Sequence, residues 1–315
     1  MTNFPVKVEH SMQHIEKGEL PNLVLRYLQE EVVGRSSHTL YARKLDLSMF
    51  CLFYENLNGH LKAKELMPRD VKLFQNELQA TYAGNSVNRR IGSVRAFSRW
   101  LLANGFVRVH PCKGIKDLHV DLGPAKAPRD REYHRLRKTA DTLASTQRYE
   151  FSQDFRNLVL LEALNSSGLR ITEILSITLD QFFNRKFHRV RCKGGKIRSI
   201  SIKTEVCDLI TEYVEHHRTP GSNFLFTSKS GGYFDRVSAW KTLKRIARFA
   251  SANLPPEEKL DLTCHALRHR HGFKCREAKD PVFAAARLGH SSLSFVHRYS
   301  QETPEEERDL LETID

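Results

Sequence analysis

Five places in this 315-residue chain carry polar residues that a hydrophobic core does not call for: Arg170 in SSGLRITE, Lys193 in CKGGKIR, His265 with Arg268 in HALRH, His290 in LGH, and Tyr299 in HRYS. Each alone has an ordinary explanation, as a surface arginine, a solvated turn lysine, a loop histidine or a packing tyrosine. Together they have the chemistry of phosphodiester cleavage without a metal. Two arginines and a histidine can hold nonbridging oxygens and neutralise the charge that grows during in-line phosphoryl transfer. A lysine can protonate the leaving hydroxyl. A second histidine can accept the proton of an attacking tyrosine, whose phenol, with a pKa near ~10, is otherwise a weak nucleophile at neutral pH. A phosphotyrosyl link would conserve the energy of the broken bond, so rejoining needs no ATP.

Other chemistries lack their marks. There is no G-x-x-x-x-G-K-[ST], no G-x-G-x-x-G and no G-x-S-x-G, which disfavours nucleotide hydrolysis, dinucleotide binding and serine hydrolase activity. His265, His269 and His271, with Cys264 and Cys275 nearby, do not make a convincing metal site. Positions 265 and 269 share a helical face while 271 points elsewhere, no carboxylate completes the set, and Arg268 and Arg270 add positive charge. No metal and no cofactor is expected. The six cysteines form no C-x-x-C pair, so reduced thiols are expected rather than a zinc finger or a disulfide framework.

The elements that must position these residues read as mostly helical. Leu40, Leu47, Phe50, Tyr54 and Leu57 follow a helical spacing after a cap at Ser37. Val71, Phe74 and Leu78 repeat it past Pro68, and Val87, Ile91, Val94, Phe97 and Leu101 form a third stripe after Asn85 and Ser86. Arg89, Arg95 and Arg99 fall opposite that third stripe. With Lys44, Lys62, Lys64 and Lys72 they read as a phosphate-contacting face rather than merely a solvated one. Lys116 to Asp130, with two prolines, a glycine and several charges, reads as a linker. Beyond it, an apolar helix over Leu158–Leu164 breaks at Ser166, Ser167 and Gly168, and another starts near Arg170. Val190 and Cys192 alternate with polar neighbours, as do Ile200 and Ile202, across a hairpin whose Gly194–Gly195 tip supplies positive φ. Helices resume as far as Leu288, interrupted by a polar loop at Ser228–Tyr233.

The composition suits two domains and a polyanionic partner such as nucleic acid or a membrane surface. Hydrophobic residues make up 40% of the chain, and 50 Lys+Arg against 37 Asp+Glu give a formal charge of +13. Residues 1–120 hold 17 basic against 11 acidic side chains and residues 121–315 hold 33 against 26, so both halves are positive. No apolar run is long enough for a membrane span and the first twenty residues lack a signal-peptide core, so a cytoplasmic, nucleoid-associated protein with no membrane partner is expected.

At these residues the sequence resembles the tyrosine recombinase (integrase) family, most nearly its simple two-domain Xer-like members. SGLRITEI, CKGGKIR, HALRH, LGHSSLS and HRYS occur in the family's order, the last with its tyrosine nine residues beyond His290. SSHTLYARKLDLSMFCLFYE and NSVNRRIGSVRAFSRWLLANGFVRVHPC look like the family's helical core-binding domain. The resemblance implies a fold that is mostly α, with a small β-sheet in the catalytic domain. The expected layout is a core-binding domain over 1–115 that clamps DNA, a linker at 116–130, a catalytic α+β domain over 131–301, and an acidic tail at 302–315.

The resemblance also assigns roles. Arg170 and Arg268 would clamp the scissile phosphate, Lys193 would be the general acid, His265 would assist proton transfer, His290 would hydrogen-bond the phosphate, and Tyr299 would be the nucleophile. Glu173 would support the site from its helix. Lys44, Arg89, Arg95 and Arg99, on the basic face read above, are the expected DNA contacts. Lys196 rivals Lys193, but the family's lysine precedes the turn. The turn itself departs slightly from the family, with Cys192 where a glycine is common before the lysine. Thr303 can cap a C-terminal helix begun by Pro304, with Leu310, Leu311 and Ile314 on one stripe. The resemblance implies that this helix docks on a neighbouring protomer in a homotetramer on double-stranded DNA, with accessory proteins possible partners and a Holliday junction as intermediate. A type IB topoisomerase-like or telomere-resolving enzyme, or a catalytically silent DNA-binding protein of the same fold, are the rival readings.

Overall fold

The computed structural model describes residues 19–34, 36–120, 127–146, 151, 153–192 and 194–289. The chain divides into two compact units, one ending at Asp121 and the other beginning at Leu122.

The first unit is helical. It comprises α1 (Leu20–Tyr27), α2 (Ser37–Asn58), α3 (Pro68–Thr81) and α4 (Gly84–Ala103). The cap of α2 is Ser36, one residue before the expected Ser37; its hydroxyl accepts from the Thr39 amide. Pro68 occupies the first turn of α3, where its missing N–H costs nothing. Leu47, Phe50, Phe74, Val87, Ile91, Val94, Phe97 and Leu101 from three helices share one core with Leu20, Leu23 and Tyr27 of α1. Residues 116–118, at the start of the segment read as a linker, are stitched to this unit. The Gln75 amide donates to the Lys116 carbonyl, and Asn88 exchanges two hydrogen bonds with the Leu118 backbone.

One buried acid organises the polar side of α4. Asp46 of α2, 1% exposed, receives both terminal nitrogens of Arg89, at 2.5 and 2.8 Å, and the Ser93 hydroxyl at 2.8 Å. Asp46→Ala removes an interhelical tie but frees a guanidinium that is half exposed and can be solvated. A loss of about 2 kcal/mol is therefore expected in urea unfolding, below the full cost of breaking a buried pair.

The second unit is built around α6 (Gln153–Ser167), whose residues from Leu158 to Leu164 are all buried. A helix apolar on every side must be surrounded. It packs against α5 (Asp130–Thr146), α8 (Thr204–Glu212), α9 (Arg236–Ala250) and α10 (Cys264–Ala278), while α7 (Ile171–Leu175) rests on α9 and α10 holds α11 (Pro281–Leu288). A three-stranded antiparallel sheet, in the order β1 (Phe182–Phe183), β2 (Lys186–Arg191), β3 (Ile197–Ser201), lies beside them. The expected hairpin is β2–β3, with Gly194 and Gly195 at φ +82° and +77°. Its register shifts between Phe187 and Val190, where Arg189 has φ +49°, so the strand carries a bulge. The polar loop at Ser228–Tyr233 is closed by a bridge between Thr227 and Tyr233. Among the described residues no helix is long and apolar enough to cross a membrane.

Candidate active site

Two junctions of the second unit carry the described candidates, and a third flanks position 193. The first is the turn between α6 and α7. Gly168 there has φ +63°, and a Cβ added to it would lie 2.4 Å from the His271 ring and 2.9 Å from Leu288, so only glycine fits. The turn delivers Arg170 to the N-cap of α7. Glu173, 4% exposed, takes the Arg170 backbone N–H on one oxygen at 2.9 Å and its guanidinium on the other at 2.8 Å. Burial works to raise the Glu173 carboxyl, but those two Arg170 bonds, with the nearby charge of Arg268, carry it below the ordinary range. A permanent carboxylate thus fixes the plane and reach of Arg170.

The second junction is the N-terminal half of α10, capped by the Thr263 hydroxyl on the Ala266 amide. Arg268 is 5% exposed, and its two terminal nitrogens donate at 2.6 Å each to the carbonyls of Gly168 and Leu288. One guanidinium therefore ties the α6–α7 turn to the end of α11. His265 reaches solvent one turn earlier. Desolvation of its ring, then the guanidiniums of Arg268, Arg170 and Arg236, lower its pKa, which keeps it neutral at pH 7 and able to accept a proton.

His271, beneath the Gly168 turn, supports both. Its Nδ1–H donates to the Asn165 carbonyl at 2.9 Å, which leaves Nε2 to face the Cys275 thiol at 3.4 Å. Burial, and then Arg287, lower its pKa to about 4; Arg268 and Lys203 act in the same direction, while the Asn165 bond opposes them. The unfolded chain binds a proton near pH 6.5 and the folded one only near 4, so stability is full above pH 6.5 and is lost as the pH falls between those values. Between about pH 7 and about pH 5 the loss expected from this residue is about 2 kcal/mol. Chemical unfolding of His271→Phe at both pH values should show that much less pH dependence; an unchanged dependence would contradict the assignment.

The third junction is the tip of β2–β3. Lys193 itself lies outside the described residues, as do His290, Tyr299 and the acidic tail at 302–315. The flanking backbone is described. The Cys192 amide donates to the Lys196 carbonyl at 2.7 Å, and the Gly195 amide to the Cys192 carbonyl at 3.2 Å.

Of the sequence-read candidates in this unit, Arg170, Glu173, His265 and Arg268 come together. Arg236, exposed at the first position of α9, joins them electrostatically, and nothing in its local sequence marks it out. The Gly168 and Leu288 carbonyls that hold Arg268 were equally invisible, since backbone groups leave no sequence signal. Among the described residues no cluster of three or more His, Cys, Asp or Glu side chains could hold a metal ion. In the first unit Lys44 and Arg99 are exposed, whereas Arg89 is paired with Asp46, and Arg95 with Asp117 at 2.8 Å and the Ile115 carbonyl at 3.1 Å.

Guanidiniums made rigid by carboxylate and carbonyl partners, beside an imidazole held neutral, suit a reaction in which a phosphoryl group gains charge while a hydroxyl loses its proton. Residues 129–306 match the phage integrase family, and residues 24–105 match the phage integrase N-terminal SAM-like domain. The chain belongs to the phage integrase family, and within it is a tyrosine site-specific recombinase, an enzyme of DNA recombination. It is 27% identical over 289 residues to the tyrosine recombinase XerC of Roseiflexus castenholzii, covering 88% of this chain and 86% of that one. To the tyrosine recombinase XerD of Pseudomonas putida it is 29% identical over 282 residues, covering 85% and 87%. Its fold is similar to that of the Tn1549 transposon integrase, solved in complex with a circular intermediate DNA, with a TM-score of 0.73 at 16% identity over 94% of this chain and 99% of the other. A lambda integrase dimer bound to a core site is similar at a TM-score of 0.69 and 14% identity over 90% and 77%.

Proposed function

We propose that the chain cleaves and rejoins double-stranded DNA through a 3′-phosphotyrosyl intermediate, with Tyr299 as nucleophile and neither metal nor ATP. The Tyr299 oxygen bonds to phosphorus while the bond from phosphorus to the 5′ oxygen breaks. The tyrosyl proton passes to His265, and Lys193 donates the proton that the departing 5′ hydroxyl needs. Arg170 and Arg268 hold the nonbridging oxygens, His290 adds a hydrogen bond to them, and Glu173 keeps Arg170 in place. The observation that carries this reading is the Arg170–Glu173 and Arg268–carbonyl framework around a histidine held neutral.

Lys44, Arg89, Arg95 and Arg99 are assigned to DNA contacts of the first unit, with Lys44 and Arg99 meeting phosphates most directly. Arg89 and Arg95 divide their donors between DNA and acidic neighbours. The boundaries given above, a core-binding domain to residue 115 and a catalytic domain over 131–301, are the working division. Four protomers would assemble on two sites and exchange strands through a Holliday junction, with the tail from Glu302, seven acids and one arginine, docking on a neighbouring protomer. A cytoplasmic setting at the nucleoid follows from the substrate.

The test is incubation with a nicked suicide duplex carrying the recombination site, followed by denaturing electrophoresis. A protein–DNA adduct that forms equally with and without EDTA supports the proposal. No adduct, or one abolished by chelation, refutes it.

A further inference from the structure

Position 198 inverts the polarity of its strand. In β3, Ile200 is 2% exposed and faces the core, as does Ile202 just beyond, and alternation puts Arg198 on that same face while Ile197 is 63% exposed. A guanidinium thus takes a place where the pattern calls for an aliphatic side chain, opposite Val190 of β2. Local rules are broken in this way mainly where function requires it.

The arginine is fully engaged on two sides. Its Nε donates to Cys192 Sγ at 3.1 Å, and its Nη1 donates to the Arg287 carbonyl at 2.5 Å. Gly289 lies against the same guanidinium, where a Cβ would be 3.0 Å from Nη1. The remaining Nη2 is buried without a hydrogen-bond partner among the described residues, a cost that the other contacts must offset. In return Arg287 reaches back from α11 to donate to the Ser201 carbonyl at 2.9 Å.

The acceptor chosen by Arg198 is informative. Arg287 and Leu288 are consecutive, and their carbonyls lie at the C-terminal, negative end of α11. Arg198 of the hairpin takes the first and Arg268 of the clamp takes the second. The hairpin and the clamp are therefore bonded to adjacent peptide groups. Beyond Cys192 the tip residues Gly194 to Ile197 are all exposed, so among the described residues the Cys192–Arg198 contact is the side-chain anchor nearest the tip in sequence.

We propose that Arg198 is a positioning residue, which locks the β2–β3 hairpin to the end of α11 and so fixes the lysine at the hairpin tip relative to the arginine clamp. This rests on the reading of Lys193 as the general acid. An acid must come within hydrogen-bond reach of the leaving oxygen, and an error of ~1 Å in placement can cost about 100-fold in rate.

The test compares single-turnover cleavage of two nicked suicide duplexes, one with the ordinary 5′ oxygen and one with sulfur at that bridging position. With sulfur, the tyrosyl oxygen still bonds to phosphorus, but the electron pair of the broken P–S bond leaves as a thiolate that takes no proton. Arg198→Met is expected to be roughly 100-fold slow on oxygen and within about 3-fold of the parent on sulfur. Lys193→Ala should show the same rescue from a deeper deficit. Arg198→Lys keeps the charge but not the planar fork, so it should resemble the Met variant, and it supplies the comparison if Arg198→Met does not fold. If Lys193→Ala is rescued by sulfur and the Arg198 variants are not, Arg198 does not act through the lysine and the inference falls alone. If Lys193→Ala is not rescued, the general-acid reading falls and takes the inference with it. Arg198 variants with normal rates on oxygen would also overturn it.

Discussion

Tyr299→Phe is expected to bind DNA carrying the recombination site as the parent does and to yield no covalent adduct at all. The expectation is all-or-none because the substitution removes the atom that forms the bond to phosphorus. Loss of a group that only stabilises charge slows such a step by about 100- to 1000-fold and leaves a residual rate. Two other tyrosines of the second unit, Tyr133 and Tyr213, are poor substitutes. Tyr133 is buried, its hydroxyl donates to Glu162 at 2.9 Å, and desolvation and then the Glu162 charge push its phenol far up. Tyr213 is buried beside Thr227. His265, held neutral by desolvation of its ring and then by its three guanidinium neighbours, is the matching base, since a phenol near pKa ~10 needs a proton acceptor at pH 7. Denaturing electrophoresis on the nicked duplex gives the answer directly. An adduct that persists in the phenylalanine variant would move the nucleophile elsewhere, with exposed Tyr233 the first residue to replace.

What the sequence reveals of this molecule follows from the range over which each feature is set. Helices α2, α3 and α4 were legible because their apolar stripes repeat within a turn or two, and the hairpin tip because only glycine takes the φ values of Gly194 and Gly195 without strain; α5, which begins at Asp130 inside the segment read as a linker, was not read as a helix. Strand β1 was not. Its connection to β2 is a two-residue turn, Asn184–Arg185, with φ of +49° and +57°, a conformation usually announced by glycine and here adopted without it. Arg170, Glu173, His265 and Arg268 could be picked out by type and order. Their restraints could not, because the Gly168 and Leu288 carbonyls belong to segments 100 and 20 residues away from Arg268. Arg89 illustrates the converse. Its place on the polar arc of α4 was correctly exposed, yet its charge is met by Asp46, 43 residues earlier, and nothing in the α2 sequence marks that acid as buried.

Arg268→Ala should be the most damaging change among the described residues, in rate and in stability together. A guanidinium has five N–H donors, and here two of them bind the carbonyls that close the α6–α7 turn onto α11. Truncation strands both carbonyls in a buried place at about 1–3 kcal/mol each, so a net loss of about 3 kcal/mol is expected, or a fall in Tm of about 10 °C. The same truncation removes one half of the assigned phosphate clamp and lets the Gly168 turn relax beneath Arg170. Adduct formation should therefore fall by about 1000-fold or more, as when charge stabilisation is lost from a phosphoryl-transfer site. Arg268→Lys separates the two effects. An ammonium can reach one of the two carbonyls and keeps the positive charge, so part of the thermal stability should return. It cannot hold both peptides at once or present a planar fork, so the rate should stay near that of the alanine variant. A lysine variant that cleaves close to the parental rate would show that charge alone suffices at this position, and that the twin carbonyl bonds serve folding rather than the alignment of the clamp.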